Sequence, residues 1–144
     1  MNTIDDLKNI RETLKVSAET KNLTQVLAFV DALLERAGCP LKMQMRIDVA
    51  VEELYINIAN YAYLPGKGEA VINVWFEDDS TIVIEFRDKG KFFDPLMKED
   101  PDVTLSAGER PIGGLGIFMV KKSMDDVQYR REGDQNILTI KKKL

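Results

Sequence analysis

Apolar residues alternate with polar ones in short runs at both ends of this chain and follow a helical period between them. Ile10, Leu14 and Val16, with polar residues interleaved, predict a first strand over about 10–17. Leu23, Val26, Leu27, Val30, Leu33 and Leu34 then recur at helical spacing, and Gly38 with Pro40 ends that helix. A second helix is predicted from Leu41 to about Tyr63, where Pro65-Gly66 stops it. Two strands follow, Val71–Phe76 and a return strand with Ile82, Ile84 and Phe86 on one side, joined by the turn Asp78-Asp79-Ser80. The period of two carries that apolar side on to Asp88, an acid at the end of an apolar face.

From Lys89 to Ile112 no period holds, and Gly90, Pro95, Pro101, Gly108 and Pro111 mark a long loop. Loops of this length inside compact domains are usually lids or binding loops, and the lid is placed at about 96–112. Gly113-Gly114-Leu115-Gly116 leads into a short helix from Ile117 to about Met124. A hairpin closes the chain: Val127–Glu132, a turn at Gly133-Asp134, and Ile137–Lys142. The order β-α-α-β-β-loop-α-β-β predicts one domain over 1–144. Its fold class is α/β: a two-layer sandwich with a mixed, mostly antiparallel sheet and helices on one face. Lys141, Lys142 and Lys143, with Arg130 and Arg131, read as an edge strand guarded by charge.

Composition narrows the chemistry. The 144 residues hold no histidine, so no Ser-His-Asp or Cys-His unit and no His-ligated metal can form within the chain. Any general base must be a carboxylate, lysine or tyrosine. A net charge of −4 argues against direct nucleic-acid binding. The longest uncharged run, Leu54 to Leu64, is too short to span a bilayer, so no membrane is expected. The chain opens on no secretion signal, and Cys39 is the single cysteine. A cytoplasmic protein is the expectation.

Three clusters could carry chemistry. Glu53 and Asn57, four residues apart, share one face of the second helix, and Asn60 and Tyr61 extend the polar strip. A carboxylate beside an amide suits a divalent cation whose other ligands are phosphate oxygens and water. Asp88, at its strand end, can accept a hydrogen bond from the exocyclic amine of a purine, and Gly90 lets backbone pass close to a ring. Gly113-Gly114-Leu115-Gly116 opens a helix, where free amides and the helix dipole bind phosphate. Each cluster alone has a plainer reading: a solvated helix stripe, an Asp-x-Gly turn, a flexible helix start. The glycine run lacks a P-loop ending and does not lie in a βαβ unit, which removes the Rossmann reading. Taken in order, the three make a nucleotide site.

The sequence resembles the GHKL (histidine-kinase-like) ATPase superfamily from the first strand to Lys142. The residues that carry the resemblance are Val51-Glu52-Glu53-Leu54-Tyr55-Ile56-Asn57, Asp88-x-Gly90-x-x-Phe93-Asp94-Pro95, and Gly113-Gly114-Leu115-Gly116-Ile117-Phe118. Phe93-Asp94-Pro95, the Gly-Gly-Leu-Gly-Ile-Phe run and Met124-Asp125-Asp126-Val127 are closest to the anti-sigma-factor serine kinases of bacterial partner switching. The resemblance implies the Bergerat-type sandwich and the cofactors ATP and Mg²⁺. It implies that Glu53 is the general base and that Asn57 holds Mg²⁺ against the phosphates, with Asn60 a further nucleotide contact. Asp88 would take the adenine amine with Gly90 beside the ring. Gly113, Gly114, Leu115 and Gly116 would sit at the phosphates, Arg110 would reach the γ-phosphate from the lid, and Thr139 would lie by the adenine.

The implied function is an ATP-dependent serine/threonine kinase that phosphorylates an anti-sigma-factor antagonist and sequesters a sigma factor, as a homodimer. Two alternatives stand beside it. One is a non-catalytic module gated by ATP or ADP; the other is a kinase of the same family in another signalling route. An intact Glu53 favours an enzyme, because a pure binder has no need of a base.

Overall fold

The computed structural model describes residues 9–78, 80–97 and 115–144. Strand β1 (Arg11–Ser17) leads through a 3₁₀ turn into helix α1 (Leu23–Arg36), and helix α2 (Leu41–Asn57) follows. Strands β2 (Glu69–Glu77) and β3 (Thr81–Asp88) form a hairpin; helix α3 (Leu115–Ser123) then precedes strands β4 (Asp126–Glu132) and β5 (Gln135–Lys143). The sheet order is β1-β2-β3-β5-β4, and every pairing is antiparallel. The expected α/β sandwich is therefore present, with a sheet that is wholly antiparallel across the described strands.

Register builds the core. Ile72 pairs with Phe86 and Val74 with Ile84; across β3, Phe86 meets Leu138 and Ile84 meets Ile140. These side chains share one face, and all are buried. The helices cover that face through Val26, Val30, Leu33 and Leu34 of α1 and Ile47, Ala50, Val51, Leu54 and Tyr55 of α2. Both sets follow the spacing of one helix face. Fully burying each larger aliphatic side chain contributes about 1.5–3 kcal/mol. The Tyr55 hydroxyl donates to the Glu19 carbonyl at 2.7 Å and accepts from the Glu19 amide at 3.2 Å, tying the β1–α1 link to α2.

Helix α1 stops where the sequence predicts. Gly38 adopts φ +71°, the Cys39 amide donates to the Leu34 carbonyl at 3.0 Å, and the Gly38 amide donates to the Glu35 carbonyl at 3.0 Å. This is a Schellman cap, and a side chain at Gly38 would strain it. Helix α2 departs from its expected extent: regular α geometry ends at Asn57, and Ile58–Ala62 form a π-helical turn. The lysines of the last strand lie on β5, which is internal; the edge strand beside it is β4, which carries Arg130 and Arg131. Lys141 pairs with Glu77 at 3.0 Å and Lys142 with Asp125 at 3.3 Å.

The second sheet face carries polar rows. Thr13 donates to Asn73 at 2.6 Å, Asn73 to Glu85 at 2.9 Å, and Arg87 to Glu85 at 2.6 Å. Burial pushes the Glu85 carboxyl up, but the donors from Arg87 and Asn73 outweigh it and hold it below its usual range.

Between α1 and α2 two carboxyl groups face each other. Asp31 Oδ1 and Asp48 Oδ1 are both buried without a protein donor. Burial, the hydrogen bond with Asp31 and the charges of Asp31 and Glu35 push Asp48 up to about 7 from 3.8. The folded chain thus holds the Asp48 proton more tightly than the unfolded chain, and stability falls as pH rises from about 4 to about 7. Asp48→Asn removes that slope and stabilises the protein at pH 8 by on the order of 1 kcal/mol, discounted for partial exposure. Near pH 4 it is neutral. Urea midpoints at both pH values check this; an unchanged slope in the variant contradicts it.

Candidate functional site

The end of β3 is held by three close contacts that the local sequence explains. Asp88 is buried, and its Oδ1 accepts from the Gly90 amide and from Asn136 Nδ2, both at 2.9 Å. The Lys91 amide donates to the Ala62 carbonyl at 2.9 Å, which docks the strand-end turn on the π-helical end of α2. Gly90 is required by this docking, since a Cβ there would stand 2.2 Å from the Ala62 oxygen. The close approach that the glycine permits is to the protein's own backbone.

Asn136 is the residue the sequence did not disclose. It pairs directly with Asp88 across the β3–β5 ladder and is buried. Its Nδ2 donates to Asp88 and to the Lys91 carbonyl at 2.8 Å; its Oδ1 accepts from Tyr129 at 2.5 Å and from Arg131 at 3.1 Å. Arg131 also donates to the Gly90 carbonyl at 2.9 Å. Burial pushes the Tyr129 hydroxyl up, against the nearby Arg131 charge, so it stays a neutral donor. The one available signal was the period of two, which puts Asn136 on the same face as Leu138 and Ile140.

Beside this knot lies a slot walled by Leu54, Ile58, Ala62, Phe86 and Leu138, with Asn57, Asp88 and Asn136 as its polar groups. Phe93 and Pro95 form the outer wall, where Asp94 caps the turn Pro95–Met97 by accepting from the Leu96 amide at 2.9 Å. The free volume is about 40 Å³, room for water. The described donors on Asp88, the Gly90 amide and Asn136 Nδ2, both engage Oδ1, which leaves Oδ2 as its second acceptor oxygen. An apolar slot ending in one such oxygen suits a flat ring bearing an N–H donor.

The helix face completes the site. Asn57 lines the slot, and Glu53 sits one turn earlier on the same side of α2. Glu53 packs against the first turn of α3: a Cβ on Gly116 would lie 2.0 Å from its Oε1. Gly116 therefore lets the two helices meet at this carboxylate.

Other expected contacts fall elsewhere. Asn60 is exposed and lines a groove with Ser17, Glu19 and Gly66 rather than the slot. A π turn advances about 80° per residue instead of 100°, which rotates Asn60 off the Asn57 face. Thr139 pairs with Glu85 and shares the second sheet face with it, one residue out of phase with Leu138 on the slot side. Leu115 opens α3, while Arg110, Gly113, Gly114 and the expected lid beyond Met97 lie outside the described residues. No helix among the described residues is long and apolar enough to cross a membrane.

Helices laid on one face of an antiparallel sheet, with a carboxylate-bearing slot against the helix layer, define a two-layer α/β domain. Residues 16–142 match the histidine kinase-like ATPase domain, and the chain belongs to that family. It is 22% identical over 129 residues to the serine/threonine-protein kinase BtrW of Bordetella bronchiseptica, spanning 90% of this chain and 91% of that protein. It is 26% identical over 131 residues to the serine-protein kinase RsbW of Staphylococcus aureus, spanning 86% and 81%. Among solved structures it resembles the RsbU and RsbW domains of Rv1364c from Mycobacterium tuberculosis, with a TM-score of 0.68 at 14% identity. That match covers 94% of this chain and a third, 33%, of the other, and it shows a shared fold.

Asn136→Ala leaves Asp88 with the Gly90 amide as its described donor, takes the acceptor from Tyr129, and leaves Arg131 to the Gly90 and Gly133 carbonyls. A fluorescent adenine nucleotide should bind about tenfold more weakly to it, with about 1–3 kcal/mol of stability lost. Unchanged affinity contradicts the positioning role.

Proposed function

We propose that this chain is an ATP-dependent protein-serine/threonine kinase that phosphorylates an anti-sigma-factor antagonist and, in alternation, sequesters a sigma factor. The observation that carries the kinase reading is the single α2 face that bears Glu53 and Asn57 one turn apart, with Asn57 already in the slot that ends at Asp88. The named relatives BtrW and RsbW, both serine kinases, support it. The sigma factor, the antagonist, a homodimeric state and a cytoplasmic location rest on the resemblance of the sequence motifs.

Phosphoryl transfer asks a protein mainly for positioning and charge neutralisation. Asp88 Oδ2 takes the exocyclic amine of adenine, while Leu54, Ile58, Phe86 and Leu138 exclude water from the ring. Asn57 offers one amide oxygen, and the described residues hold no cluster of three or more acidic or cysteine ligands. That donor set fits Mg²⁺, which draws most of its ligands from phosphate oxygens and water and, when bound, neutralises phosphate charge. Glu53 accepts the proton of the partner's serine hydroxyl as its oxygen bonds to the γ-phosphorus; the bond to the β–γ bridging oxygen breaks and ADP leaves. The chain has no histidine to take this task in its place.

The test is transfer from γ-labelled ATP with Mg²⁺ into a lysate of the source cell. The wild type should label a small protein, whose identity and serine mass spectrometry then gives. Glu53→Ala should lower transfer by roughly 10²–10⁴-fold with nucleotide affinity retained. Retained binding with no labelled protein contradicts the kinase and leaves a module gated by ATP or ADP.

A further inference from the structure

The face of α2 that carries Glu53 and Asn57 continues backward past both. Val49 and Ala50 precede Glu53 by four and three residues, and Arg46 precedes it by seven, so all lie on one stripe. Across from them stand Gly116, Met119 and Val120 of α3, and the two helices enclose a groove of about 480 Å³. Its walls are mostly apolar yet open: Val49 is 62% exposed and Met119 is 53% exposed. Met45 and Leu41, at 59% and 70%, continue the apolar stripe toward the start of α2. Large apolar side chains clustered in the open mark a surface that something covers.

Position decides what covers it. Asn57 lines the nucleotide slot, and Glu53, one turn earlier on α2, lines this groove, so the two spaces lie one helical turn apart. A serine hydroxyl that reaches Glu53 through this groove brings its flanking residues against Val49 and Met119. Resting on the kinase reading above, we infer that the groove between α2 and α3 docks the acceptor protein, gripping apolar side chains that flank its phosphorylated serine.

The test uses the full chain and the acceptor identified by label transfer, purified. Initial rates are measured against acceptor concentration at saturating ATP for the wild type, Val49→Asp and Met119→Asp. Gln128→Asp, on the exposed far strand, is the control for added charge. The two groove variants should raise the KM for acceptor by about tenfold or more, with kcat and nucleotide affinity within about twofold of wild type. The control should leave all three unchanged.

An unchanged KM in both groove variants overturns the assignment. Weakened nucleotide binding in both also overturns it, because the groove is then covered by the chain's own segment. A change of oligomeric state by sedimentation in both overturns it in favour of a second copy. Each of these leaves wild-type transfer, and so the kinase reading, intact. A wild type that labels no protein retires the kinase reading and this docking surface together.

Discussion

The arrangement depends on the orientation of one buried carboxylate. Asp88 stands at the end of β3 with Oδ1 accepting from the Gly90 amide and the Asn136 side chain. A buried carboxylate without such donors would be costly, and two fixed donors on one oxygen hold its plane in place. What remains is a single acceptor at the tip of an apolar slot. The same contacts join separate parts of the chain: the turn after β3 docks on the end of α2 through Ala62, and Arg131 of β4 closes over Gly90. Asp88 therefore takes its place from the sheet ladder, the helix layer and the edge strand at once.

Helix α2 runs from that slot to the groove beside α3. One of its faces passes in turn through Val49, Glu53 and Asn57, and the helix is anchored by buried Ile47, Val51, Leu54 and Tyr55 on the adjoining side. A rigid helix holds such a spacing more precisely than a loop would. Just beyond Asn57 the helix changes to a π turn, which rotates the following residues away from the site and brings Ala62 to meet the turn at Gly90. Insertions of this kind are frequent where function needs a local change of helical phase. Gly116 performs the matching service on the other side by admitting Glu53 against α3.

Much of this was legible in the sequence. The strands announced themselves through the period of two, and α1 through its apolar spacing and the Gly38 stop. Glu53 and Asn57 stood out as polar residues within an apolar helical stretch, Asp88 and Gly90 at a strand end, and Gly116 at a helix start. What was not legible depended on phase and partners. A π turn has no simple residue signature, so Asn60 read as a continuation of the Asn57 stripe. Thr139 was placed by resemblance rather than by counting along β5, and one residue of register moves a side chain to the other face. Asn136 was invisible because its importance comes from pairing with a residue 48 positions earlier, a tertiary fact. Gly90 stands out in the sequence as a place for close approach to a ring, and in the structure the group close to it is the Ala62 carbonyl.

The central claim is that Asp88 presents one acceptor oxygen to a purine amine, and calorimetric titration with ATP and with GTP tests it most directly. Adenine offers a donor at the position where guanine offers an acceptor. The account predicts that the wild type binds ATP about a hundredfold or more tightly than GTP, and that Asp88→Asn, which can donate, narrows or reverses the ratio. Equal affinity of the wild type for the two nucleotides would contradict it.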